Sequence, residues 1–114
     1  MANPSKAKGS RFEVAVRDWL AHRGVRVVRN PPAGTKDVGD LTVWDADGDA
    51  WCLELKATKS LDLASGMREL KAEKLNAGTE FGVCVFKKRN APIADAYVVM
   101  SLDDFASIVA GEPF

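Results

Sequence analysis

The sequence predicts an α/β layered domain, a mixed five-stranded sheet flanked by helices. Three observations carry this. Segments near both ends and in the middle repeat apolar residues at helical spacing. Five short β-rich runs are bounded by Gly, Pro, Asn or Asp. The order is helix, three strands, helix, strand, strand, helix, which makes an α/β layered domain with a mixed sheet.

The elements follow in order. Residues 1–9, with Pro4, Lys6, Lys8 and Gly9, read as a flexible basic arm. Ser10, with Glu13 three residues on, has the spacing of a capping box and starts a helix. Phe12, Val16, Trp19 and Leu20 make its apolar stripe, and Gly24 ends it. Residues 25–29 are a short strand. Asn30-Pro31-Pro32-Ala33-Gly34-Thr35-Lys36 is a loop, since its prolines and glycine suit neither helix nor central strand. Residues 41–44 and 51–56 are strands joined through Asp45-Ala46-Asp47-Gly48-Asp49, a hairpin turn. Residues 67–77 are helical, with Met67, Leu70 and Leu75 expected inside and Gly78 as the stop. Residues 81–86 and 96–100 are strands. Ser101 caps a last helix, with Phe105, Ile108 and Val109 expected to face inward and Gly111 ending it.

The length of 114 residues, 46% hydrophobic and 28% charged, suits one globular domain over residues 10–114. No apolar run approaches the roughly 20 residues that span a bilayer, and the first residues lack the apolar core of a secretory signal. No membrane partner and a cytoplasmic location are therefore expected. Cys52 and Cys84 lie in apolar runs and read as buried thiols. His22 is the single histidine, which excludes zinc hydrolases built on several histidines.

The formal net charge is zero, with 16 basic and 16 acidic residues, but the signs are segregated. Residues 1–36 carry eight basic and two acidic residues, and residues 37–55 six acidic and none basic. Residues 56–90 carry eight basic and four acidic, and residues 91–114 four acidic and none basic. Basic blocks could line a surface that neutralises phosphates, with the acidic block holding a metal ion at its centre; solvated faces are the alternative.

The second hairpin strand holds the chemistry. By alternation Trp51, Leu53 and Leu55 face one way and Cys52, Glu54 and Lys56 the other. A carboxylate and an amine on one face of an otherwise apolar strand need partners. The hairpin brings Asp40, at the start of the neighbouring strand, close to Glu54. Two adjacent carboxylates repel unless a proton or a cation joins them, and oxygen ligands suit Mg²⁺ or Mn²⁺. A surface salt bridge between Glu54 and Lys56 on an edge strand is the plainer alternative. Glu13 is explained by the capping box and is also open as a ligand. Asp37 is near enough to join the site or be a loop charge. Asp45, Asp47 and Asp49 resemble part of a calcium loop but lack its closing glutamate. Lys87-Lys88-Arg89-Asn90 is a hairpin tip or a phosphate clamp, and Trp44 a core or dimer residue.

Thirteen residues separate Asp40 from Glu54, and Glu54-Leu55-Lys56 follows. Gly39-Asp40 with Glu54-Leu55-Lys56 resembles the (P)D…(D/E)xK signature of restriction-endonuclease-like nucleases. Lys8-Gly9, Glu13 in the first helix and the Pro-Gly loop between Arg29 and Lys36 are similar to the archaeal-type Holliday junction resolvases and their phage relatives. The resemblance covers about residues 6–90. It implies a restriction-endonuclease-like core and a Mg²⁺-dependent endonuclease (Mn²⁺ able to substitute), a homodimer acting on branched DNA such as four-way junctions. It makes Asp40 and Glu54 metal ligands, with Glu13 beside them, and Lys56 the catalytic lysine. Lys8, Arg11, Arg29 and Lys36 are expected on DNA phosphates, and Thr35 where many members have a serine. Gly39 stands where many have proline, a change expected to matter little. The chain has no glutamine, so the family's downstream glutamine is absent or replaced by Lys71 or Glu73. The competing functions are a nuclease of this fold with another branched or linear DNA target, and a non-catalytic DNA-binding module.

Overall fold

The computed structural model describes residues 4–31 and 36–111. Helix α1 (Pro4–His22) is followed by strands β1 (Arg26–Arg29), β2 (Leu41–Trp44) and β3 (Ala50–Lys56). Helix α2 (Leu63–Ala77), strand β4 (Phe81–Phe86), a 3-10 turn (Ile93–Asp95), strand β5 (Tyr97–Val99) and helix α3 (Leu102–Ala110) complete it. The strands lie in sequence order across one sheet. β1–β2, β2–β3 and β4–β5 are antiparallel, whereas β3 and β4, linked through α2, are parallel. The mixed five-stranded α/β sheet expected from the sequence is therefore present.

The alternation of β3 divides the core. Leu53 and Leu55 join Leu41, Val83 and Val85 beneath Phe12 and Val16 of α1. Cys52 joins Cys84, Phe86 and Leu70 of α2 on the other face. Close approach of α2 needs Gly66, whose Cβ would lie 3.0 Å from the Phe86 ring and 3.3 Å from Cys84 Sγ. Burial pushes the Cys52 and Cys84 thiols up to about 12 and about 11, so both stay neutral and inert.

Several expectations are corrected. Residues 4–9 are the opening turns of α1, not an arm; Pro4 starts the helix, where a missing N–H costs nothing. Residues 1–3 of the expected arm lie outside the described residues. Ser10 is thus no cap: its hydroxyl accepts a bond from Arg29 at 2.8 Å. Helix α2 begins four residues before Met67, because Asp62 accepts from the Ser65 N–H and caps it. Leu75 is 77% exposed, since the buried stripe of α2 is Gly66, Leu70 and Glu73. Phe105, Ile108 and Val109 face outward, and Ser107 is the buried position of α3.

Candidate active site

Asp40 is fixed before any function is asked of it. Its N–H donates to Leu53 O and its Oδ2 accepts from the Leu55 N–H, at 2.9 and 2.8 Å. Both bonds tie it to β3, so the start of β2 and the end of β3 share one point. Asn30 holds the approach, donating to Gly39 O and to Thr42 Oγ1, both at 3.1 Å. Asp37 Oδ1 accepts from the Gly39 N–H. Gly39 has φ +93°, with its Cβ position 2.6 Å from Cys52 Sγ and 3.1 Å from Leu53 O. Proline, confined to negative φ, does not fit this backbone, so the glycine matters more than the sequence suggested. Gly39→Ala is expected to cost about 1–3 kcal/mol, read as a lowered unfolding midpoint.

Glu54 sits at the centre of a group of carboxyls. It is 6% exposed on a central strand, which removes the reading of a surface salt bridge on an edge. Burial, then its hydrogen bond to Asp40 and the Asp40 charge, push its carboxyl far above the usual range. Glu73, 2% exposed on the buried face of α2, completes a cluster in which Asp37, Glu54 and Glu73 each place an oxygen within 4.8 Å of the others. No donor of the described residues reaches either Glu73 oxygen. Burial is the main reason the Glu73 carboxyl is raised to about 8, with Asp37 adding to it.

Lys56 leaves the same face of β3. Its Nζ pairs with Glu69 of α2 and lies 3.9 Å from Glu54 Oε2. Burial lowers its pKa, but the Glu69 hydrogen bond and the Glu54 charge outweigh this, and the amine stays cationic. Glu69 is correspondingly lowered, first by Lys56.

Glu13 stands at the α1 side. It accepts a bond from Arg29 at 3.4 Å, and partial burial followed by the Asp40 charge raises its pKa. Asp40, Glu54 and Lys56 are therefore brought together, with Glu13 near Asp40 and Arg29 turned towards α1. Lys8 lies on a separate groove with Lys59 and Lys87. Arg11 and Lys36 are exposed. Thr35 lies outside the described residues. Asp45 serves the hairpin, accepting from the N–H groups of Asp47 and Asp49 and from Trp51 Nε1. Trp44 lies under the Arg26 guanidinium, 4.2 Å from its ring centroid.

The donor set of the cluster is all carboxylate oxygen, the chemistry of a hard divalent cation. Two buried, unpartnered oxygens of Glu73 beside a buried Glu54 are what such an ion would satisfy, so these residues fit one.

The fold is of the restriction-endonuclease-like type, a mixed sheet with the carboxyl-and-lysine group at the junction of β2 and β3. A solved structure with this fold is that of Hjc from Archaeoglobus fulgidus, a Holliday junction resolvase from an archaeal hyperthermophile. It matches 94% of this chain and 98% of its own, with a TM-score of 0.55 and 22% identity, a likeness of fold. No family model and no curated protein sequence matches the chain.

Proposed function

We propose that the chain is a Mg²⁺-dependent endonuclease that resolves four-way DNA junctions as a homodimer. The carrying observation is the buried carboxyl pair of Glu54 and Glu73, in which neither Glu73 oxygen has a hydrogen-bond partner among the described residues, with Asp40 and Lys56 beside it. A binding module has no use for buried carboxyls beside phosphates, whose negative charge they repel. The fold shared with a Holliday junction resolvase supports the junction as substrate.

In this reading Asp40 and Glu54 hold the metal ion, Asp37 and Glu73 complete its surroundings, and Glu13 flanks it. The bound ion would polarise the phosphoryl oxygen and lower the pKa of water. Lys56, cationic and aimed by Glu69, orients the attacking water or stabilises the charge that develops on the phosphoryl oxygens. Lys8, Arg11 and Lys36 neutralise backbone phosphates, which positions DNA without reading sequence, whereas Arg29 is engaged by Glu13 and Ser10 of α1. An enzyme working on DNA in this way acts inside the cell. Among the described residues no helix is long and apolar enough to cross a membrane.

The direct test is cleavage of a synthetic four-way junction against a linear duplex of the same sequence, with and without Mg²⁺. Junction cutting that requires the ion is expected; absence of cutting in Mg²⁺ and Mn²⁺ overturns the proposal.

A junction has two strands to cut in two-fold relation, and a C2 dimer presents two sites that way. The apolar residues that α3 and β5 leave exposed (Leu102, Phe105, Val109 and Val98) offer a surface for such pairing. Light scattering at micromolar concentration is expected to give twice the chain mass, and a monomer with or without DNA contradicts the assembly.

A further inference from the structure

A groove of ≈330 Å³ opens where β3 and β4 end, between residues 57–61 and 87–90. Lys8, Lys59, Lys87, Lys88 and Arg89 line it together with Tyr97. Four cations of the described residues have carboxylate partners, Arg17 with Asp18, Arg29 with Glu13, Lys56 with Glu69 and Lys74 with Asp104, and they lie outside this groove. None of the five groove cations has one among the described residues. Positive charge has been gathered and left uncompensated, which costs repulsion and serves an anionic ligand.

The register ties this groove to the candidate active site. Lys56 pairs with Phe86 across the parallel strands, and Phe86 pairs with Tyr97 across the antiparallel ones. The three side chains form one row on one face of the sheet. Phe86 is buried beneath α2, whereas Tyr97, on the edge strand, is 43% exposed. The aromatic ring thus stands two strand spacings, roughly 10 Å, from the row position of Lys56. Thr58, two residues beyond Lys56, lines both this groove and the hollow beside Lys56, so the two adjoin at that residue.

A partly exposed aromatic ring between unpaired cations is the arrangement that holds single strands: phosphates go to the charges and a base lies on the ring. A duplex offers it little, because each base face inside a duplex is covered by its neighbours. We propose that this groove binds an unpaired stretch of the DNA strand leaving the cleavage site, with phosphates on Lys59, Lys87, Lys88 and Arg89 and a base stacked on Tyr97. The inference rests on the nuclease reading for its substrate. It adds a reason for preferring branched DNA, since a branch point is where unpaired bases become available.

The test is binding without divalent metal, by fluorescence anisotropy, of labelled oligothymidylate and of a linear duplex. Tyr97→Leu, which keeps apolar bulk on the edge strand, is expected to weaken oligothymidylate binding about 5- to 100-fold and leave the duplex nearly unchanged. Tyr97→Phe retains wild-type affinity. The triple variant Lys87→Ala, Lys88→Ala, Arg89→Ala is expected to flatten the log–log salt slope for the single strand by about 2. Unchanged oligothymidylate binding by Tyr97→Leu, or an equal loss for duplex, overturns the inference. If the wild type cuts junctions while Tyr97→Leu binds single strands normally, only the groove assignment fails. If Tyr97-dependent single-strand binding occurs without any cleavage, the nuclease reading fails and the groove stands.

Discussion

Asp40→Asn is expected to stop cleavage of a four-way junction while leaving its binding intact or tighter. Asparagine keeps the oxygen that accepts from the Leu55 N–H, so the loop before β2 stays anchored. It removes the charge that, with Glu54, would hold the metal ion. Loss of that electrostatic stabilisation corresponds to roughly 10²–10³-fold or more in rate. Glu54→Gln should do the same, and it relieves the crowding with Asp40 and Glu73. Lys56→Ala should also abolish cleavage but weaken binding slightly, because it deletes a cation next to the phosphates and leaves Glu69 without its partner. Gel assays of one junction in Mg²⁺, wild type against each variant, separate binding from cutting. Wild-type cutting by Asp40→Asn sinks the metal assignment.

The pairing of Asp40 with Glu54 was legible because strand alternation and a tight hairpin are local rules. An Asp-rich turn of fixed length sets the register of β2 on β3, and the register sets the neighbours. Glu73 was harder. It follows Gly66 and Leu70 at seven and three residues, on one helical stripe, and a glutamate on a stripe with a glycine is a readable sign of close packing over a polar site. Leu75 misled because it is apolar, yet five residues beyond Leu70 it lies about 140° around the helix. The stripe of Phe105, Ile108 and Val109 is genuine, but periodicity says only that a face is apolar, not what covers it. Ser10 and Glu13 match a capping box in spacing, and the same spacing suits two residues facing one arginine of β1. That contact is long-range and leaves no local trace.

The carboxyl cluster also predicts how stability varies with pH. Glu54 and Glu73 are both raised by burial above their ordinary value of 4.5, Glu73 to about 8. Below the unfolded value both states hold these protons, and nothing is lost. Between about pH 5 and pH 8 the unfolded chain releases protons that the folded chain retains, so stability falls as pH rises. Each unit of separation is worth about 1.4 kcal/mol, and 1 kcal/mol moves the midpoint by about 4 °C in a domain of this size. With two such groups the slope is about 2.7 kcal/mol per pH unit, so the unfolding midpoint in EDTA is expected to drop by roughly 11 °C per pH unit across that window. Asp45 and Glu69 are lowered instead, so their contributions are already complete above pH 5 and do not oppose the trend. Glu73→Gln removes one titrating group, and it should flatten the slope and raise the midpoint at pH 8. Millimolar Mg²⁺ should do likewise in the wild type, because a cation supplies the charge that the protons otherwise provide. Thermal melts followed by circular dichroism in EDTA and in Mg²⁺ measure both effects. A flat profile in EDTA would mean that the buried carboxyls are satisfied without proton or ion, contrary to the frustrated cluster described here.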